Sequence, residues 1–160
     1  MRDECFTLVQ IDGTSVDYPL SAAYAILNEE RGEWWLGILA NTLPGDWAWH
    51  LDSDEDDFPN IEIAARIAGP DPAEWIGRQI ILPDPLNTRY PSARLYYAGE
   101  PETLVRCIVS VGALVRGRIA VRVAGRGSAS GCNICVAGEF TLVGGSTKKV
   151  ETDNSADGRA

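Results

Sequence analysis

Apolar and polar residues alternate with a period of two over most of this chain. In an extended strand, that period sends successive side chains to opposite faces, one towards a core and one towards solvent. The run "TLVRCIVSVGALV" (103–115) puts Val105, Cys107, Val109, Val111, Ala113 and Val115 on one face, and Leu104, Arg106, Ile108, Ser110, Gly112 and Leu114 on the other. "GRIAVRVAG" (117–125) turns Ile119, Val121 and Val123 inward against Arg118, Ala120 and Arg122. "NICVAGEFTLV" (133–143) sets Ile134, Val136, Phe140 and Leu142 against Glu139 and Thr141, and "IEIAARIAG" (61–69) sets Ile61, Ile63, Ala65 and Ile67 against Glu62 and Arg66. Further strands are expected over 5–11, 34–40, 78–82 and 93–99, with glycines and prolines marking the turns between them.

Helix signals are few. In "DPAEWI", Asp71 is placed to cap, Pro72 takes the first helical position and Glu74 stands three residues after the cap; Gly77 then ends the element. The segment 21–31 has two readings. One is a helix capped by Ser21 and stopped at Gly32; the other is the first strand of a hairpin around "EERGE". The β pattern on either side favours the hairpin. The sum is an all-β domain, an antiparallel sandwich or barrel of about eight or nine strands with one short helix or helical turn. It is expected to span residues 1–144, followed by a disordered polar tail over 145–160.

Composition adds limits. The chain has 160 residues, 45% hydrophobic, enough for one domain with a substantial core. It has no apolar run near the roughly 20 residues of a membrane helix, and its N-terminus lacks the apolar stretch of a signal peptide. A cytoplasmic protein that does not engage membranes is the expectation. Cys5, Cys107, Cys132 and Cys135 are then expected as reduced thiols.

Charge changes the picture most. The net charge is −9, which repels nucleic acid and attracts a basic protein partner. It is also unevenly spread. Residues 33–64 contain eight acids and no lysine or arginine, whereas residues 103–138 contain five arginines and no acid. Arg116, Arg118 and Arg122 share strand parity and are expected to form one outward stripe. Two arrangements follow. Either the stripe neutralises the acidic loop within the fold, or the two stay apart and the loop faces a partner.

The acidic peak is "HLDSDEDDFPNIEI" (50–63), with Asp52, Asp54, Glu55, Asp56 and Asp57 beside His50, the sole histidine. Tested as a helix–loop–helix calcium site starting at Asp52, it supplies acids at positions one, three and five. It places Asp57 where glycine is required and Ile63 where a bidentate glutamate is required, so that motif fails. "CNIC" (132–135) is a single Cys-x-x-Cys pair without the further ligands of a zinc site, and a strand rather than a helix follows it. "GRGSASG" (125–131) lacks the Gly-Lys-Ser/Thr of a phosphate loop and reads as a turn between strands. No nucleophile elbow accompanies His50. No enzyme, metal or cofactor is therefore expected.

Tryptophans flank the acids: Trp34, Trp35, Trp47 and Trp49 fall within sixteen positions. Tryptophan is enriched among the residues that anchor interfaces. The expected function is a non-catalytic acidic binding protein with the charge and size of an inhibitor or immunity protein that neutralises a basic partner. Trp47 and Trp49 would anchor; Asp52, Asp54, Glu55, Asp56 and Asp57 would steer and pair. The alternative is a carbohydrate-binding β-sandwich module with a calcium-binding acidic loop.

Overall fold

The computed structural model describes residues 4–42, 58–83, 93–97 and 100–144. Of these, 70% are in strands and 3% in a helical turn, so the all-β expectation holds. Ten strands follow in order: β1 (Cys5–Val9), β2 (Ser15–Pro19), β3 (Ala22–Glu30), β4 (Glu33–Asn41), β5 (Asn60–Ile67), β6 (Gln79–Ile81), β7 (Ala93–Tyr97), β8 (Glu100–Val115), β9 (Arg118–Gly127) and β10 (Asn133–Val143). One 3-10 turn, Pro72–Glu74, lies between β5 and β6. There the Asp71 carboxylate accepts from the Ala73 amide at 3.0 Å, the capping role its position predicted.

Of sandwich and barrel, the chain adopts the barrel. Seven strands close a ring in the order β3, β4, β5, β7, β8, β9, β10 and back to β3. Every pairing in it is antiparallel except the last, where β10 runs parallel to β3 over three residues, Thr141 to Val143 against Tyr24 to Ile26. Sequence alternation carries no sign of that seam, because the same inward–outward pattern serves either strand direction.

Two strands have a divided edge. The first half of β10 pairs with β1 and its last three residues pair with β3, while β9 takes its other edge. Likewise the start of β8 pairs with β7, and Ile108 to Ser110 pair with β6. β1, β2 and β6 thus extend the ring as flanges. β2 is an outer strand that the alternation did not signal, since "SVDYP" is mostly exposed and has no inward apolar series.

Within the segment 21–31, Ala22–Glu30 is strand, and β3 and β4 form the hairpin. Arg31 and Gly32 make its two-residue tip with φ of 53° and 78°, the left-handed pair that matches the twist of adjoining strands. Arg116 and Gly117 do the same between β8 and β9, at 54° and 76°. Arg116 therefore belongs to a turn and not to the outward stripe with Arg118 and Arg122.

β8 departs from strict alternation. Arg106 has φ of 52° at a register shift between Val105 and Ile108. This β-bulge inserts one residue and resets the parity. Leu104 and Cys107 are both buried although they stand three positions apart, and Leu104 moves from the predicted outer face to the core. A second shift between Val111 and Leu114 carries the end of the hairpin past the core, so Val115 is 59% exposed instead of inward.

Inward residues from the ring join Phe6 and Leu8 of β1 in one hydrophobic cluster. Phe6 meets Tyr18 of β2 edge-on, with ring centroids 6.5 Å apart, which fastens the outer strand. Phe140 is fully buried in β10, which like β8 has three neighbours. Phe140→Ala is expected to lower unfolding free energy by about 3–5 kcal/mol, and Val115→Ala to change it by less than about 0.5 kcal/mol. Urea titration of both variants checks the pair.

Candidate functional site

Four strands of the ring, β3, β4, β5 and β7, turn outward a face that joins apolar residues of β3 and β4 to charged ones. The cause is the alternation of β4: Leu36, Ile38 and Ala40 are buried inward, so Trp35, Gly37 and Leu39 must point out. Register brings Gly37 beside Ile26 of β3 and Ala64 of β5, and brings Trp35 beside Asn28 and Arg66. Gly37 leaves the floor low, because a Cβ there would sit 3.7 Å from that of Ile26. The result is a shallow groove of about 680 Å³ floored by Trp35, Ile26 and Gly37. Ile26 is 36% exposed and Trp35 is half-buried, both on the outer side of the barrel.

Glu30, Glu33 and Glu62 edge this groove together with Arg31 and Arg94. Arg66 pairs with Glu33 at 3.3 Å, with both side chains well exposed; such a pair contributes under about 1 kcal/mol. Tyr96 donates its hydroxyl to Glu62 at 3.3 Å. The β4–β5 connection leaves the other end of these strands, away from Trp35 and the β3–β4 tip. Asn41 and Asn60, its two roots, are register partners and only 3% and 5% exposed. Thr42 donates to the Pro59 carbonyl at 2.8 Å, closing the base of the connection.

That connection carries the acidic run. Trp47, Trp49, His50, Asp52, Asp54, Glu55, Asp56 and Asp57 lie outside the described residues, as does the tail 145–160. Trp35 was assigned no binding role from sequence, although parity alone would have turned it outward once Leu36, Ile38 and Ala40 were read as core.

The arginines occupy a different wall. Arg118, Arg122 and Arg126 alternate along β9 and are all exposed. Around the ring, β9 is three strands from β4 by way of β3 and β10, and four by way of β5, β7 and β8. No pair in a seven-strand ring stands further apart. Among the described residues, the carboxylates that meet Arg118 are Glu4 at 3.4 Å and Glu139 at 3.7 Å. The stripe is therefore neutralised at one end by acids of its own wall.

Other sequence candidates resolve as structure. Cys132 is buried and Cys135 is half-buried; three residues apart along an extended segment, they face opposite sides of the sheet and do not pair. All four cysteines are free. Among the described residues no three His, Cys, Asp or Glu side chains gather as a metal site. The glycine-rich turn over 127–131 is held by the chain itself: the Glu102 carboxylate accepts from the Ala129 and Ser130 amides, each at 2.9 Å. No helix among the described residues is long and apolar enough to cross a membrane. No protein-family model, curated protein or solved structure gives a match to this chain.

Burial pushes the Cys107 thiol up from 9.0 to about 12. Its thiolate is disfavoured in the fold, so the native state holds the proton where the unfolded chain releases it. Stability is unaffected below about pH 9 and falls as pH rises from there towards 12. The expected slope approaches about 1.4 kcal/mol per pH unit, and Cys107→Ala removes that component. Denaturant melts of both proteins across the alkaline range measure the difference.

Proposed function

We propose that this chain is a non-catalytic binding protein that holds a basic partner protein on its acidic side, as an inhibitor or immunity protein does. The observation that carries the reading is the outward groove floored by Trp35. It lies on the two strands, β4 and β5, whose connection holds five carboxylates within six positions. An aromatic floor with a charged rim is the arrangement in which a partner's apolar side chain anchors while its lysines and arginines pair around it. Glu30, Glu33 and Glu62 would act with Asp52, Asp54, Glu55, Asp56 and Asp57, and Trp35 with Trp47 and Trp49. The distance between β9 and β4 around the ring supports the reading too, because it keeps the arginine strand away from the strands that carry the acids. Free cysteines fit a cytoplasmic setting.

One feature favours the carbohydrate alternative: Trp35 on an outer sheet face between Asn28, Glu62 and Arg94 has the stacking surface and hydrogen-bonding groups that a sugar ring uses. The two readings separate by salt and by ligand. A cationic partner captured at about 50 mM salt should be released near 500 mM, and Trp35→Ala should weaken its retention about tenfold or more. Retention by the variant, or at high salt, overturns the acidic-docking reading. A rise in melting temperature with oligosaccharide and millimolar calcium would establish the alternative instead.

A further inference from the structure

One register row crosses four strands of the wall opposite Trp35: Val105 of β8, Arg126 of β9, Asn133 of β10 and Val9 of β1 stand side by side. The bulge in β8 brings a second cation to this row. Arg106 and Cys107 together oppose Gly125; Cys107 turns into the core, while Arg106 is exposed and lines the same groove as Arg126. Bulges re-aim single side chains in this way, often beside functional sites. The groove holds about 670 Å³, the size of a small-molecule site. Its other end is apolar. Val9 lines it, and Ile11 stands at its edge in the β1–β2 turn, 84% exposed. Gly131 makes room for Ile11 there, since an added Cβ would stand 3.3 Å from the Ile11 Cδ1 atom. The side-chain amides of Gln10 and Asn133 belong to the same lining.

Among the described residues no carboxylate lines this groove. That separates it from the groove beside Arg122, where Glu4 and Glu139 are present. The acids of the adjoining turns are engaged by backbone: Asp12 accepts from the Thr14 amide at 2.8 Å, and Glu102 from the Ala129 and Ser130 amides at 2.9 Å. Among the described residues Arg126 meets no carboxylate. We propose that this groove binds a small organic anion, an oxyanion head on a compact apolar body. The head lies against Arg106 and Arg126, and the body lies along Val9 towards Ile11. Guanidinium groups hold carboxylate or phosphate oxygens in pairs of parallel hydrogen bonds, so either oxyanion suits the cationic end. The net charge of −9 opposes an anion at long range. Salt screens that repulsion beyond about 8 Å under physiological conditions, whereas charges in contact are screened less. The site shares no residue with the Trp35 groove, so its test stands apart from that of the proposed function.

Backbone amide shifts of the isotope-labelled full chain, followed during titration with phenyl phosphate, phenylacetate, inorganic phosphate and benzyl alcohol, test this. At least one of the two aryl anions is expected to saturate with a Kd of about 1 mM, and the tighter of them names the head group as phosphate or carboxylate. The shifts should gather around Ile11, Arg106, Arg126 and Asn133. Inorganic phosphate, which lacks the body, should bind roughly tenfold more weakly, and benzyl alcohol, which lacks the charge, should not saturate. Arg126→Gln should weaken the aryl anion about tenfold. Ile11→Ser should weaken the aryl anion and leave inorganic phosphate unchanged. Both positions are exposed, so the spectra of the free variants should match that of the unaltered chain away from the substitution. The proposal is overturned if neither aryl anion saturates, if the shifts gather elsewhere, or if Arg126→Gln or Ile11→Ser binds the aryl anion as well as the unaltered chain does. Equal binding of inorganic phosphate or of benzyl alcohol overturns it too.

Discussion

Closure of the ring rests on a short parallel seam. Three residues of β10 pair with three of β3, and every other junction in the barrel is a longer antiparallel ladder or part of a hairpin. The seam is possible because β10 divides its edge, giving its first half to β1 and its last residues to β3. Contacts distant in sequence must form before that junction is rewarded, since β3 lies near the start of the described chain and β10 at its end. The hydrophobic cluster compensates: Ala25 and Leu27 from β3 and Phe140 from β10 are buried in the same core. The seam's few hydrogen bonds are backed by side-chain packing on its inner side.

This closure also decides where charge can meet. A sandwich could have folded the arginine strands over the acidic ones. A ring holds β4 and β9 on different walls, and hydrogen-bonded neighbours fix the distance between them. Arg118 therefore finds Glu4 and Glu139, which its own wall supplies, and Arg66 finds Glu33 across the β4–β5 ladder. Both pairings are exposed and weak. Neither folds the protein; each evens out charge locally on its own wall.

Most of the fold was legible because inward positions are pure in type. Ile61, Ile63, Ala65 and Ile67, or Ile119, Val121 and Val123, state their face without ambiguity, and the Asp71 cap and Pro72 located the helical turn. What escaped has physical causes. Strand β2 has no buried side to advertise. The bulge at Arg106 depends on a left-handed backbone that a non-glycine residue seldom signals, and it moved Leu104 inward. The parallel seam has no local mark at all. For the candidate site, the acidic run drew attention to itself, yet Trp35 was legible only through its neighbours. In "WWLGILA" both tryptophans look like core, and only the spacing of Leu36, Ile38 and Ala40 separates Trp34, packed on the core, from Trp35 in the groove.

The turn over Gly127 to Gly131 has a meaning beyond its own stability. Its two amides converge on one carboxylate oxygen of Glu102, and Gly127 has no side chain where that carboxylate and Ser130 sit. Backbone amides converging in this way are the device by which proteins hold phosphate and sulfate. Here the anion is covalently part of the chain. The turn between β9 and β10 is thereby tied to a side chain of β8, so one carboxylate pins the end of that hairpin to the neighbouring strand.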